Sequence, residues 1–129
     1  MLDNTKGNIE SGSDLSIQAQ RLTNTGKLHA DGNSSLGIGG ALVNSGSITS
    51  SRSVVITAGS LNNDAGRIIA VGELSATVAG ALRNQAGAVA ANGNTTLNAA
   101  NLHNDAGAIA AVNGKLSVTT TGTTSNVGG

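Results

Sequence analysis

Few side chains in this sequence could do acid–base or metal chemistry, and their spacing is wrong for it. The two histidines, His29 and His103, stand at different points of a repeating pattern, so they form no stacked pair at metal-ligand spacing. Each reads as a surface residue. Asp64 and Asp105 follow an asparagine at the same point of that pattern, but Gln85 holds the point in the repeat between them, so they make no carboxylate dyad. Cysteine is absent, which removes thiol nucleophiles, disulfide frameworks and cysteine-based metal sites and leaves the compartment open. No glycine-rich stretch follows a strand, opens a helix and carries a lysine, as a phosphate-binding loop requires. The calcium-binding glycine–aspartate nonapeptide is missing as well. The sequence therefore predicts no catalytic residue, no metal ligand and no cofactor. Two N-x-[ST] sequons, Asn33-Ser34-Ser35 and Asn94-Thr95-Thr96, could accept sugar in a secreted protein.

What does recur is structural. Leucine returns at Leu2, Leu22, Leu42, Leu61, Leu82 and Leu102, in steps of 20, 20, 19, 21 and 20. Two residues after each leucine stands an asparagine: Asn4, Asn24, Asn44, Asn63, Asn84 and Asn104. A glycine follows shortly, at Gly7, Gly26, Gly46, Gly66, Gly87 and Gly107. Two beyond each glycine is an aliphatic residue: Ile9, Leu28, Ile48, Ile68, Val89 and Ile109. Only 15 of the 129 residues are asparagine, so six of them in register are not an accident of composition. Self-similarity at a fixed period of this length is the signature of a repeat architecture.

The elements that must carry this pattern are short strands. Apolar residues alternate with polar ones, as in Ser47-Ile48-Thr49, which is the strand period. The Asn-Ser-Gly and Ala-Asn-Gly stretches between them are turn chemistry, because Gly and Asn tolerate positive φ. Gly87, Gly93 and Gly107, with Asn92, Asn94, Asn98 and Asn101, break every Ala-rich window long enough for a stable helix. No such strand can bury its apolar face alone. Coiling the chain so that each repeat pairs in parallel with the one before stacks the aliphatics in columns. The predicted fold is all-β: a right-handed parallel β-helix of about six rungs of ~20 residues, the hand following the usual preference of parallel crossovers. One solenoid covers residues 1–129, with rungs starting near 2, 22, 42, 61, 82 and 102.

Each column has an expected role. The leucine column and the aliphatic column after glycine face the interior. The asparagines form a hydrogen-bonded ladder at a corner, and the glycines meet a backbone requirement there. Asn8, Lys27, Ser47, Arg67, Ala88 and Ala108 face solvent. A further column reads Leu15, Leu36, Val54, Leu74, Leu97 and Leu116, followed at the alternate position by Ile17, Ile38, Ile56, Ala76, Ala99 and Val118. On that register rungs two and five carry two extra residues, and both insertions hold the sequons. Residues 119–129 are expected to be a degenerate partial rung or a frayed tail, with Thr124-x-Asn126-x-Gly128 opening a seventh rung and leaving an edge open to end-to-end self-association.

Composition supports a thin core and excludes several partners. There is no Phe, Tyr, Trp or Pro, and 19 residues are Gly, so the rings that usually dominate a globular core are missing. Seven Lys and Arg balance seven Asp and Glu, all scattered. Nucleic-acid binding needs a clustered basic stripe, and anionic-membrane binding a polybasic segment. No apolar run approaches the ~20 residues of a membrane helix. Residues 1–20 hold no signal peptide, and the chain reads as a segment whose export signal lies outside it.

Written out as LVNSGSITSSRSVVITAGS, LNNDAGRIIAVGELSATVAGA and LHNDAGAIAAVNGKLSVTTTG, the repeat resembles the filamentous haemagglutinin repeats of large Gram-negative exoproteins. The likeness spans nearly all of residues 2–118. It implies the fibrous body of a two-partner-secretion exoprotein, such as a haemagglutinin, a haemolysin or a contact-dependent growth inhibition protein. Such proteins cross the outer membrane unfolded through a dedicated transporter, which would be this chain's partner, and fold outside the cell. The resemblance implies secretion to the extracellular surface and brings no catalytic residue with it.

The leading functional reading is a non-enzymatic structural shaft, a rigid spacer that holds adhesive or toxic domains away from the cell surface. Three other functions compete with it. The rung faces could bind a host-cell or target-bacterium surface directly, though sugar sites usually show convergent polar residues or exposed aromatics. A solenoid enzyme needs paired carboxylates in a walled groove, and the charges here do not align. Ice binding needs repeated Thr-x-Thr on a flat face, and the slot after the first leucine reads Asp3, Thr23, Val43, Asn62, Arg83 and His103.

Overall fold

A computed structural model describes residues 1–129. The chain winds into stacked turns of three short strands each. The first turn holds β1 (Leu2–Asn4), β2 (Asn8–Ser11) and β3 (Leu15–Ala19). The second begins with β4 (Leu22–Asn24) and β5 (Lys27–Ala30), and β6 (Ser34–Asn44) runs through its last corner into the third turn. There β7 (Ser47–Ser50) follows, and β8 (Val54–Asn62) again bridges two turns. Next come β9 (Arg67–Ala70), β10 (Leu74–Val78), β11 (Ala81–Arg83), β12 (Ala88–Ala91) and β13 (Thr95–Ala99). The coil closes with β14 (Asn101–His103), β15 (Ala108–Ala111), β16 (Leu116–Thr120) and β17 (Thr124–Ser125). Every ladder is parallel, and strands β2, β5, β7, β9, β12 and β15 make a six-stranded sheet of their own. The other eleven strands form a second sheet, folded along the corners that β6 and β8 cross. The fold is a parallel β-solenoid.

Period-two alternation sends every second side chain inward, and parallel pairing stacks like on like. Leu22, Leu42, Leu61 and Leu82 lie one above the next and are fully buried. Leu28, Ile48, Ile68 and Val89 form a second buried column. Leu2, Ile9 and Ile109, in the outermost turns, are only partly covered. Each fully buried aliphatic contributes about 1.5–3 kcal/mol, so the interior turns hold themselves together without rings or disulfides.

The third column differs from the sequence reading. Ser34, not Leu36, pairs between Leu15 and Val54, and Thr95, not Leu97, pairs between Leu74 and Leu116. Leu36 and Leu97 lie one slot further along, in the column with Ile17, Ile56, Ala76 and Val118. Rungs two and five therefore carry no insertion; they place a hydroxyl where the pattern asks for a leucine. Both residues are inside, Ser34 at 1% and Thr95 at 0% exposure. Thr95 satisfies its hydroxyl by donating to Ala110 O at 2.8 Å, whereas Ser34 Oγ is buried without a partner. A one-residue register shift falls elsewhere, between Ile38 and Ala41, where β6 slips on β8.

The corner glycines are also held by something other than the expected torsion. Positive φ occurs at Lys6, Ala65, Ala86 and Ala106, each just before its corner glycine, and at Gly128. The column glycines have ordinary φ. What they cannot carry is a Cβ: at Gly107 it would overlap Asn84 O, and at Gly46 it would overlap Gly26 O of the turn below. Close backbone stacking, not left-handed geometry, selects glycine there.

The C-terminal residues continue the coil. Thr124 pairs with Leu102, and β16 pairs with β13 through Thr120. Gly129 sits over Asn104 O as Gly107 sits over Asn84 O, so the corner glycine of this turn is Gly129 and Gly128 is the left-handed residue before it.

Candidate functional site

The most constrained polar feature of the molecule is the asparagine column. A β-strand ending at a tight corner points its last side chain into the turn, where water cannot reach it. Asn24, Asn44, Asn63 and Asn84 are fully buried, and a buried amide needs partners for two donors and a carbonyl. Each finds them in its own column. Asn4 Nδ2 donates to Asn24 Oδ1 at 2.7 Å, and the same 2.7 Å bond repeats from Asn24 to Asn44, Asn44 to Asn63, Asn63 to Asn84, Asn84 to Asn104 and Asn104 to Asn126. The second donor direction reaches a backbone carbonyl of the following turn, at Lys27, Ser47, Arg67, Ala88 and Ala108, over 3.0–3.1 Å. All six bonds run the same way, from each turn to the next. From Asn4 to Asn104 every amide in the column donates to the next, so none of these is left over to hold a ligand.

The other polar groups are spread over the surface and tie neighbouring turns together. His29, on β5, contacts Thr49 Oγ1 at 2.7 Å and Asp31 Oδ1 at 3.1 Å. His103 lies on β14 in the other sheet. Asp64 pairs with Arg83 at 3.0 Å and accepts the Gln85 N–H at 2.8 Å. Asp105 accepts the Ser125 hydroxyl at 2.6 Å and the Val127 N–H at 2.8 Å, and these bonds hold its carboxyl below the usual aspartate range. Glu10 is lowered by its bond to Lys27 Nζ, 2.7 Å away, and by Asn8 and the lysine charge. The two aspartates are thus brought to separate partners and not to each other.

Both sequon asparagines are exposed corner residues with structural bonds. Asn33 Oδ1 accepts the Ser53 N–H at 3.2 Å, and Asn94 Oδ1 accepts the Lys115 N–H at 2.8 Å. Asn101 caps Thr123 N in the same way at 2.8 Å. The sequence reading missed these caps; the signal was an Asn or Asp recurring beside a strand start, a position where a side-chain oxygen satisfies a corner N–H.

Concavities are shallow. Two lie on the outer surface, around Gln18, Gly37 and Thr57 and around Asn98, Ala100 and Thr119, with no charged side chain lining either. A third, of about 490 Å³, is the open C-terminal end of the core, lined by Leu102, Ile109, Leu116 and Val118.

A corner asparagine ladder beside a leucine column, repeated every turn, can be compared with known repeats as a unit. The family model for the haemagglutinin repeat matches residues 1–86 and 69–128. The chain belongs to the haemagglutinin-repeat family. In its haemagglutinin repeats the matched segments meet within β9 to β11 and together span every complete turn of the coil. No curated protein and no solved structure matches the chain.

Proposed function

We propose that this stretch of haemagglutinin repeats is a non-enzymatic shaft segment of a large secreted bacterial surface exoprotein, delivered by an outer-membrane two-partner-secretion transporter. In that role it holds distal adhesive domains, or the toxin of a contact-dependent growth inhibition filament, away from the cell. The observation that carries this reading is the unbroken asparagine ladder through the core, flanked by columns of buried aliphatics. Its polar groups are spent on joining one turn to the next, and a rod is what such bonding yields. The surface charges support the same reading, because they are scattered as exposed cross-turn pairs such as Lys27–Glu10 and Arg83–Asp64. Pairs of this kind contribute at most about 1 kcal/mol and leave no single-sign patch to capture a partner.

The test is binding of labelled, folded chain to erythrocytes, epithelial cells and Gram-negative bacteria. The shaft role predicts no saturable binding. Saturable binding that disappears when the charges of one face are changed would make the repeats themselves the adhesin.

A further inference from the structure

The corner between the second and third strands of a turn has one length in five turns and another in the sixth. Three residues span it between β2 and β3, β5 and β6, β7 and β8, β9 and β10, and β12 and β13. Four residues, 112–115, span it between β15 and β16. Pairing fixes both sides of the comparison, since Ala111 stacks on Ala91 and Leu116 on Thr95. The longer corner holds an Asn-Gly pair, Asn113-Gly114, and the corner of the turn before it holds another, Asn92-Gly93. Both asparagines are exposed. The same dipeptide thus stands at the same corner of adjacent turns in two backbone settings.

The settings differ at one N–H. In the three-residue corners the middle N–H is bonded inside the coil. Gly32 donates to Ser13 O at 2.8 Å, Gly72 to Arg52 O at 2.7 Å and Gly93 to Gly72 O at 2.8 Å. Ser13 and Arg52 donate to Ser11 Oγ and Ser50 Oγ, at 3.2 and 3.0 Å. Each partner belongs to the same turn or the preceding one. In the sixth turn Asn113 takes over, its N–H donating to Asn92 O at 2.8 Å and its Nδ2 to Asn92 Oδ1 at 2.6 Å. Gly114 stacks over Gly93, yet its N–H donates to no protein group. The carbonyl it fails to reach belongs to the fifth turn, so the difference arises within the coil.

We propose that Asn113-Gly114 is a site of self-modification, at which Asn113 is converted to aspartate or its β-linked isomer while Asn92 is preserved. The Gly114 nitrogen gives up its proton and bonds to Asn113 Cγ. The Cγ–Nδ2 bond breaks, and the side-chain nitrogen leaves as ammonia with that proton. Water, the one co-reactant, then opens the five-membered imide at either carbonyl. Glycine favours the step because no Cβ crowds its nitrogen and its backbone rotates freely toward the side chain. Gly93 is held back from the same step, because its N–H must first leave Gly72 O. The product replaces a donor to Asn92 with an acceptor. It also adds one negative charge to a chain in which seven Lys and Arg balance seven Asp and Glu. The β-linked isomer lengthens the main chain further, at a corner that is already one residue over length.

The test is peptide mapping of the full chain after incubation, folded, at mildly alkaline pH. Trypsin cuts after Arg83 and Lys115 and nowhere between them, so one peptide carries both pairs. Fragment masses then locate each amide-to-acid exchange. In the folded chain Asn113 should convert faster than Asn92 by roughly ten-fold or more, the weight of one backbone hydrogen bond. In concentrated denaturant, where neither N–H is bonded, the two rates should converge. Equal rates in the folded chain, or a faster Asn92, would overturn the proposal. So would an Asn113 lead of the same size in denaturant, which would trace it to the flanking residues and not to the fold. Deleting Val112 gives a second test, because it leaves Asn113-Gly114-Lys115 as a three-residue corner like Asn92-Gly93-Asn94. Gly114 N–H should then reach the fifth turn, and Asn113 should slow to the rate of Asn92. A rate that stays fast in a folded deletion variant would also overturn the proposal, since the extra residue would not be the cause.

Discussion

An L-residue held in the left-handed region costs about 1–2 kcal/mol relative to glycine, and alanines stand there at Ala65, Ala86 and Ala106. Their neighbours Gly66, Gly87 and Gly107 have the opposite problem, since a Cβ there would overlap the turn below. Adjacent residues should therefore respond in opposite senses. Ala86→Gly is expected to raise the unfolding free energy by about 1 kcal/mol, and Gly87→Ala to lower it by about 2 kcal/mol or more through overpacking, both read from denaturant midpoints at constant m. The buried Ser34 hydroxyl, which lacks a partner, supplies a second case. Ser34→Ala removes an unsatisfied group and should stabilise the chain by about 1 kcal/mol; an unchanged or lowered midpoint would mean that the hydroxyl is bonded in solution. Sequence reading saw the glycine column but attributed it to torsion. The left-handed residue was hidden because alanine carries no mark of the conformation it is forced into.

At the scale of the strand and its column, the leucine slot is the strongest determinant. Leu61 is buried to 1% exposure with Leu42 below it and Leu82 above. Leu61→Ala should cost about 2–5 kcal/mol, measured by thermal or denaturant unfolding, and a melt indistinguishable from the parent would contradict the stacking. Two of the three strands of each turn were legible in the sequence, because Leu-x-Asn and Gly-x-[ILV] are anchored by residues with a single structural job. The third was misaligned in rungs two and five, where Ser34 and Thr95 stand in the core. A pattern search assigns hydroxyls to the outside, and Leu36 and Leu97 two residues later offered a convincing but shifted match. Parallel pairing overrode the hydropathy pattern, because slipping one strand by two residues would break its ladder to both neighbours.

For the molecule as a whole, coiling and rung count followed from the period, while the direction of the amide bonds and the corner caps required coordinates. The caps also give the rod a sensitivity to acid. Asp3, Glu10 and Asp105 are all lowered from their ordinary values, by Thr5, by Lys27 and by Ser125 respectively as the leading causes. A carboxylate whose folded value is depressed stabilises the native state above its unfolded value, near 4, and loses that contribution as pH falls through the folded one. The melting temperature should stay level from pH 7 to about 5 and then decline below about 4. Asp105→Asn should flatten that decline, because Asp105 ties the last turn through Ser125 and Val127; a melting temperature that holds steady to pH 2 would remove the carboxylate caps from the account.

The one-way run of asparagine bonds has an electrical consequence. Each side-chain amide points its oxygen toward the N-terminal end of the rod and its N–H groups toward the C-terminal end. An amide carries a dipole of about 3.5 D, and aligned dipoles add. The column is therefore a permanent axial dipole, negative where the chain starts and positive where it finishes, the reverse of the sense in an α-helix. Every turn added to the rod lengthens it.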